Sequence, residues 1–248
     1  MWRPPAAGLL FRRVLHSSRQ CAAPLPRLYR YWVDVHGQLF LYDTVPKNLT
    51  SCFKSVSFLN FFFERVQAQP LAHQVPLGTP PSETETWHWT QDSAALADML
   101  QGNQSDGWHT IWTRLQQEGM AWVSRCQGEW NVIHAVDTPI VFRQLTDDGH
   151  LVWGGDYTLP WDPSQLRVHP GTGYLYHPSP VPPLRRVQAQ GVSPFGPYSL
   201  IASHVVLQHL SDGLHLDLEE GGGTLEWGGR TYPLRWLSLP HDLAPPRP

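Results

Sequence analysis

Residues 29–42 read Tyr-Arg-Tyr-Trp-Val-Asp-Val-His-Gly-Gln-Leu-Phe-Leu-Tyr. Apolar and aromatic residues crowd both sides of Asp34-Val35-His36-Gly37, and Gly37 can take the positive φ that a tight turn requires. The stretch predicts a β-hairpin. A second hairpin is predicted near the other end, where Gly228-Gly229 separates Leu225-Glu226-Trp227 from Arg230-Thr231-Tyr232. Strands are also expected over Ala121–Val123, Asn131–Val136, Ile140–Leu145, His150–Trp153 and Leu214–Leu218. Thr146-Asp147-Asp148-Gly149 is the turn into the fourth of these.

Three segments break this strand rhythm. Val56 to Gln67 carries Val56, Phe58, Leu59, Phe62, Phe63 and Val66 on one broad face at helical spacing, with Ser57, Asn60, Glu64 and Gln67 opposite. This predicts an aromatic-rich amphipathic helix packed on a sheet. Residues 68–86 contain Pro70, Pro76, Pro80 and Pro81 and form a break. Asp92 then caps a short helix and Asp106 opens another, stopped by Gly119. Residues 178–197 are proline-rich loop, and Tyr198–Leu210 is helical by its apolar spacing. Helices that do not alternate regularly with strands exclude a doubly wound sheet. The expected class is α+β, with antiparallel hairpins packed against a few helices.

The 248 residues are 41% hydrophobic and 16% charged, with a net charge of −3. That total averages two unlike parts. Residues 1–33 hold six arginines and no acid, whereas the rest holds 12 basic residues against 21 acidic ones, a net of −9. Residues 9–16, Leu-Leu-Phe-Arg-Arg-Val-Leu-His, set Leu10, Phe11, Val14 and Leu15 on one helical face and Arg12, Arg13 and His16 on the other. An amphipathic, arginine-bearing, acid-free leader is the pattern of a mitochondrial transit peptide. The expected organisation is a leader over 1–28, an α+β domain over 29–240 with a divergent insertion at 68–118, and a disordered tail over 241–248. The acidic body argues against nucleic-acid binding. No apolar run approaches the 18 or so residues of a membrane span, and three cysteines do not make a disulfide scaffold.

Chemistry is sparsely signalled. No GxxxxGK[ST] word is present and no GxGxxG joins a strand to a helix. None of the 13 histidines pairs at HxH or HExxH spacing, so neither a metal nor a cofactor is expected. Cys52 precedes the aromatic helix beside Lys54, where a cation and a helix N-terminus would favour the thiolate. Cys126 lies in Ser-Arg-Cys-Gln-Gly-Glu, three residues before Glu129. These three are the catalytic candidates, although buried inert cysteine explains either thiol with fewer assumptions.

Tyr31-Trp32-Val33-Asp34, Gly37 to Leu41, Asp43, Lys47-Asn48, Cys52-Phe53-Lys54, Phe62-Phe63, Pro139 to Phe142 and Leu175-Tyr176-His177-Pro178 occur in an order that resembles an uncharacterised mitochondrial family. Its human member is an open-reading-frame product of chromosome 8. The family's Cys-Gly-Arg-Glu-Arg-Asn word corresponds here to Cys126-Gln127-Gly128-Glu129-Trp130-Asn131. Both arginines are replaced, and if they hold an anion in the family, this chain lacks that capacity. The family also lacks most of residues 68–118, which are either a lineage-specific insertion or an intron read as coding. The resemblance implies mitochondrial residence and an α+β fold, and it supplies no activity. Asn131, Tyr176 and His177, within or beside the shared words, are the ligand-binding candidates. The leading expectation is a non-catalytic accessory module of the mitochondrial matrix that binds a protein or a small ligand. The alternative is a small cysteine-dependent hydrolase or transferase.

Overall fold

The computed structural model describes residues 27–68, 88–89, 115, 117–126, 129–217 and 222–238. The leader's first 26 residues, the helix after Asp92, most of the helix after Asp106 and the C-terminal tail lie outside the described residues. So does most of the expected insertion.

The opening hairpin forms where the sequence places it. Strand β1 (Arg27–Val33) pairs antiparallel with β2 (Leu39–Leu41). Asp34 builds the turn: its Oδ1 accepts from the amides of His36 and Gln38 at 2.9 and 2.8 Å, while Gly37 takes φ +73°. Helix α1 (Val56–Phe63) follows, capped by Ser55, whose hydroxyl accepts from the Phe58 amide. Four strands complete the first sheet: β3 (Val66–Ala68), β4 (His88–Trp89), β5 (Trp122–Cys126) and β6 (Glu129–Ala135). The order is β2-β1-β6-β5-β3, with β4 beside the start of β1. The central pair, β1 and β6, runs parallel from Leu28 opposite Trp130 to Val33 opposite Ala135.

Both faces of this sheet are covered. Tyr31, Val33, Leu39, Trp122 and Ile133 point into the main core with Leu59, Phe62 and Phe63 of α1. On the opposite side Leu28, Phe40, Val123 and Val132 are almost wholly buried, as are Leu115 and Met120. Apolar side chains buried on both faces blur the in–out alternation, which is why 29–42 reads as a nearly continuous aromatic run. Gly119 does terminate a helical turn. It takes φ +78°, and the Met120 amide closes on the Leu115 carbonyl at 2.8 Å.

The second half is almost all strand. A three-stranded meander is made by β8 (Gln144–Leu145), β9 (His150–Trp153) and β10 (Tyr157–Pro160), after the short β7 (Val141–Phe142). Then come β11 (Arg167–Val168), β12 (Leu175–Pro178), β13 (Tyr198–Ile201), β14 (Leu214–Asp217), β15 (Gly222–Trp227) and β16 (Arg230–Trp236). With β7 they form a seven-stranded sheet ordered β14-β15-β16-β11-β12-β13-β7. The β15–β16 hairpin turns on Gly228 and Gly229, at φ +57° and +74°, with Trp227 opposite Arg230. One core joins all three sheets and α1. The class is α+β with strands dominating. Among the described residues, no helix is long and apolar enough to cross a membrane.

Three expectations are corrected. The helix expected over Val56–Gln67 stops at Phe63, and Val66–Ala68 instead pairs with β5. Val66 is buried under either period, so spacing alone could not see the change. Nor is α1 divided into an aromatic and a solvent face, since every residue from Phe58 onward is at least half-buried. The helix expected over Tyr198–Leu210 begins as strand β13, held between β12 and β7, and only Ser203–Leu210 is helical. The single strand expected over Ile140–Leu145 is broken at Arg143, with β7 in one sheet and β8 in another.

Candidate functional site

Three of the sequence candidates meet on the β5–β6 hairpin. Its register sets Cys126 opposite Glu129 and Ser124 opposite Asn131. Cross-strand partners share a face, as do residues two apart on a strand, so all four side chains point the same way. That way is toward α1. The Ser124 hydroxyl donates to the Phe62 carbonyl at 2.7 Å and lies 3.1 Å from the Cys126 sulfur. Asn131 Nδ2 donates to the Ser124 carbonyl at 2.9 Å. The Cys126 thiol itself reaches the Phe61 carbonyl at 3.9 Å.

The surroundings set the charge states. Burial pushes the Cys126 thiol up, and although Ser124 and the Arg65 guanidinium pull it down, Glu64 and Glu129 add to the rise. Tyr31, on the adjoining strand, is pushed up to about 12 by burial and then by Glu129, Tyr29 and Cys126. At the end of α1, Tyr157 donates to Glu64 Oε2 at 2.7 Å and is likewise pushed up to about 12, burial leading. Arg65 pairs with Glu64, donates to the Phe61 carbonyl at 2.8 Å and lies 3.8 Å over the Phe61 ring. Among the described residues, the groups that act on the thiol are a hydroxyl, a guanidinium and two carboxylates. A buried thiol whose surroundings favour its protonated form is a weakened nucleophile. The cluster can offer hydrogen bonds and a cation.

The other candidates lie elsewhere. Cys52 is half-buried in the loop before α1, its thiol donating to the Leu49 carbonyl at 3.5 Å. Tyr176 and His177 are neighbours on β12 and therefore face opposite ways. The Tyr176 hydroxyl donates to Asp137 Oδ2 at 2.8 Å, and burial followed by the Asp137 charge raises its pKa. His177 accepts from the Asp162 amide through Nε2 at 3.3 Å and stacks on Trp161 at 5.7 Å. Burial lowers its pKa, which keeps it neutral.

Sequence reasoning missed Asp137, whose carboxyl is raised by burial and whose Oδ1 is sealed from solvent with no hydrogen-bond partner. It also missed Glu64 and Arg65 as site groups, because their helical positions resembled an ordinary solvated edge. Asp137 follows a strand end, where a turn role is the default and no spacing marks it. Among the described residues, no group of three His, Cys, Asp or Glu side chains could hold a metal ion.

No solved structure matches the chain. The pattern of a family described as a domain of unknown function, DUF4505, matches residues 19–74 and 109–236. The match spans both the opening strands and the hairpin that carries Cys126, Glu129 and Asn131, and by it this chain belongs to the DUF4505 family.

Proposed function

We propose that this protein is a non-catalytic binding module of the mitochondrial matrix, released from a leader that ends close to Arg27. One observation carries the non-catalytic reading: the reactive side chains of the β5–β6 cluster are spent on the fold. Ser124 holds the Phe62 carbonyl, Asn131 holds Ser124, and the Cys126 thiol is buried and pushed away from the thiolate. Polar groups satisfied in this way position strands and do not wait for a substrate. The basic, acid-free leader supports the location.

Import of the full chain into isolated mitochondria tests the proposal. The expected product is protease-protected and shortened by roughly 26 residues, with Cys126 unlabelled by a thiol reagent in the native state. A mature protein that keeps Met1 would refute the location. Rapid native alkylation of Cys126 would refute the non-catalytic reading.

A further inference from the structure

The strand expected over Ile140–Leu145 breaks at Arg143, and the broken position is chemically unusual. The Arg143 side chain is half-buried between three turns. Its stem lies against Gly37 of the first hairpin, where a Cβ would fall 2.9 Å from both Cγ and Cδ. Its Nη2 donates to two backbone carbonyls of the β9–β10 turn, those of Gly154 and Gly155, the second at 2.9 Å. Among the described residues, Cys52 of the loop before α1 is the ionisable group that acts on it. On the backbone side, exposed His204 donates to the Arg143 carbonyl at 2.9 Å and its ring lies 6.2 Å from that of His36.

What is missing is a counter-charge. No carboxylate of the described residues pairs with this guanidinium. The acids of the two turns that touch it are committed elsewhere: Asp34 to the amides of the β1–β2 turn, and Asp156 of the β9–β10 turn to Asn60 Nδ2 at 2.6 Å. The carbonyls at Nη2 supply acceptors but no net charge. Nε is closed off from solvent and meets no acceptor, and Nη1 makes no hydrogen bond to the described residues. A cation taken out of water without an opposite charge is unfavourable, and proteins pair such a charge or let a ligand do so. Nη1 is the part of the guanidinium left to meet an oxyanion, through a charge-assisted hydrogen bond.

We propose that Arg143 is the anchor of an oxyanion-binding site, for a carboxylate or phosphate group, set between the β1–β2 turn, the β9–β10 turn and the loop carrying Cys52. The site is separate from the β5–β6 cluster, so it stands or falls independently of where the protein works.

Inorganic phosphate and succinate, each compared with chloride at equal ionic strength, test the site on the full chain. The wild-type melting temperature is expected to rise saturably by roughly 3–6 °C once the better anion reaches about ten times its Kd. Arg143→Gln is expected to abolish the rise, and Arg143→Lys to retain only part of it. Whichever of phosphate and succinate saturates first identifies the headgroup. Side-chain 15N resonances of Arg143 in the wild type give a second readout that needs no folded variant. They should shift with the anion and not with chloride, while those of the exposed Arg230 and Arg235 stay put. An equal response to chloride, or an unshifted Arg143 signal, overturns the proposal, as does an Arg143→Gln protein that responds like the wild type.

Discussion

Substitution of Gly155 by alanine probes how the meander is attached to α1. The β9–β10 turn meets the first turn of the helix so closely that a Cβ on Gly155 would lie 2.3 Å from the Val56 carbonyl oxygen and 2.7 Å from Asn60 Oδ1. The backbone of Gly155 is not left-handed, so the need for glycine here is one of space alone. The close approach permits three hydrogen bonds. Asn60 Oδ1 accepts from the amides of Gly155 and Asp156 at 2.8 and 3.1 Å, and Asn60 Nδ2 donates to Asp156 at 2.6 Å. A methyl group that forces the turn away breaks all three, at about 1 kcal/mol each, for a loss near 3 kcal/mol. For a chain of this size that lowers Tm by roughly 6–12 °C. Gly171→Ala is the control. It too lies outside the left-handed region, and its Cβ would meet nothing nearer than 3.4 Å, so its effect should stay within about 0.5 kcal/mol. Urea denaturation of both variants, with Asn60→Ala and the Gly155→Ala/Asn60→Ala pair, completes a double-mutant cycle. The pair should cost little more than either single change. A Gly155→Ala protein as stable as Gly171→Ala would refute the close-packed docking, and strict additivity would refute the role given to Asn60.

Two further outcomes are expected. His177 has a folded-state pKa below the ordinary imidazole value of 6.5, so its stabilising contribution is complete above that pH. It is lost as pH falls below 6.5 through the lowered folded value, because the unfolded chain takes up the proton more readily. Urea midpoints from pH 7.5 to 5 should therefore fall more steeply for the wild type than for His177→Gln, and parallel curves would count against a buried neutral ring. Tyr176→Phe removes the side-chain donor to Asp137 Oδ2, leaving a buried carboxyl whose other oxygen already lacks a partner. A loss of about 1–3 kcal/mol is expected at pH 7 by chemical denaturation, and an unchanged midpoint would show that water replaces the phenol freely.

The two glycine-marked hairpins were legible because turn chemistry is local: Asp34 and Gly37, or Gly228 and Gly229, carry their instruction within four residues. The co-facing of Cys126, Glu129 and Asn131 was half legible. The three stand close together in one short word, but the β5–β6 register that aligns them rests on backbone pairing that spacing does not encode. Elsewhere the deciding contacts are distant. Tyr198–Ile201 has spacing compatible with a helix and becomes a strand because β12 and β7 offer backbone partners on both sides. The helix α1 ends early because Val66–Ala68 finds an edge of β5, more than fifty residues further along. Asn60 reads as a solvated helix position and is instead the clasp for a turn some 95 residues away. Arg143 reads as an ordinary strand residue, and the missing counter-charge becomes visible only when three remote turns surround it.

The place of β1 in the first sheet has a consequence for the order in which the chain can fold. It is the first strand along the described chain, yet it sits in the interior of its sheet, and its long parallel partner β6 begins about a hundred residues later. A chain that emerges N-terminus first, from a ribosome or through a membrane channel, exposes Leu28, Tyr31, Trp32 and Val33 with only the short β2 as shelter. Residue 135 must appear before the central pairing can close. Closing so long a loop is slow, and an aromatic strand waiting with two apolar faces is prone to wrong partners. The stretch around residues 27–41 is therefore where a holding chaperone would act first and where slowed emergence would do most harm.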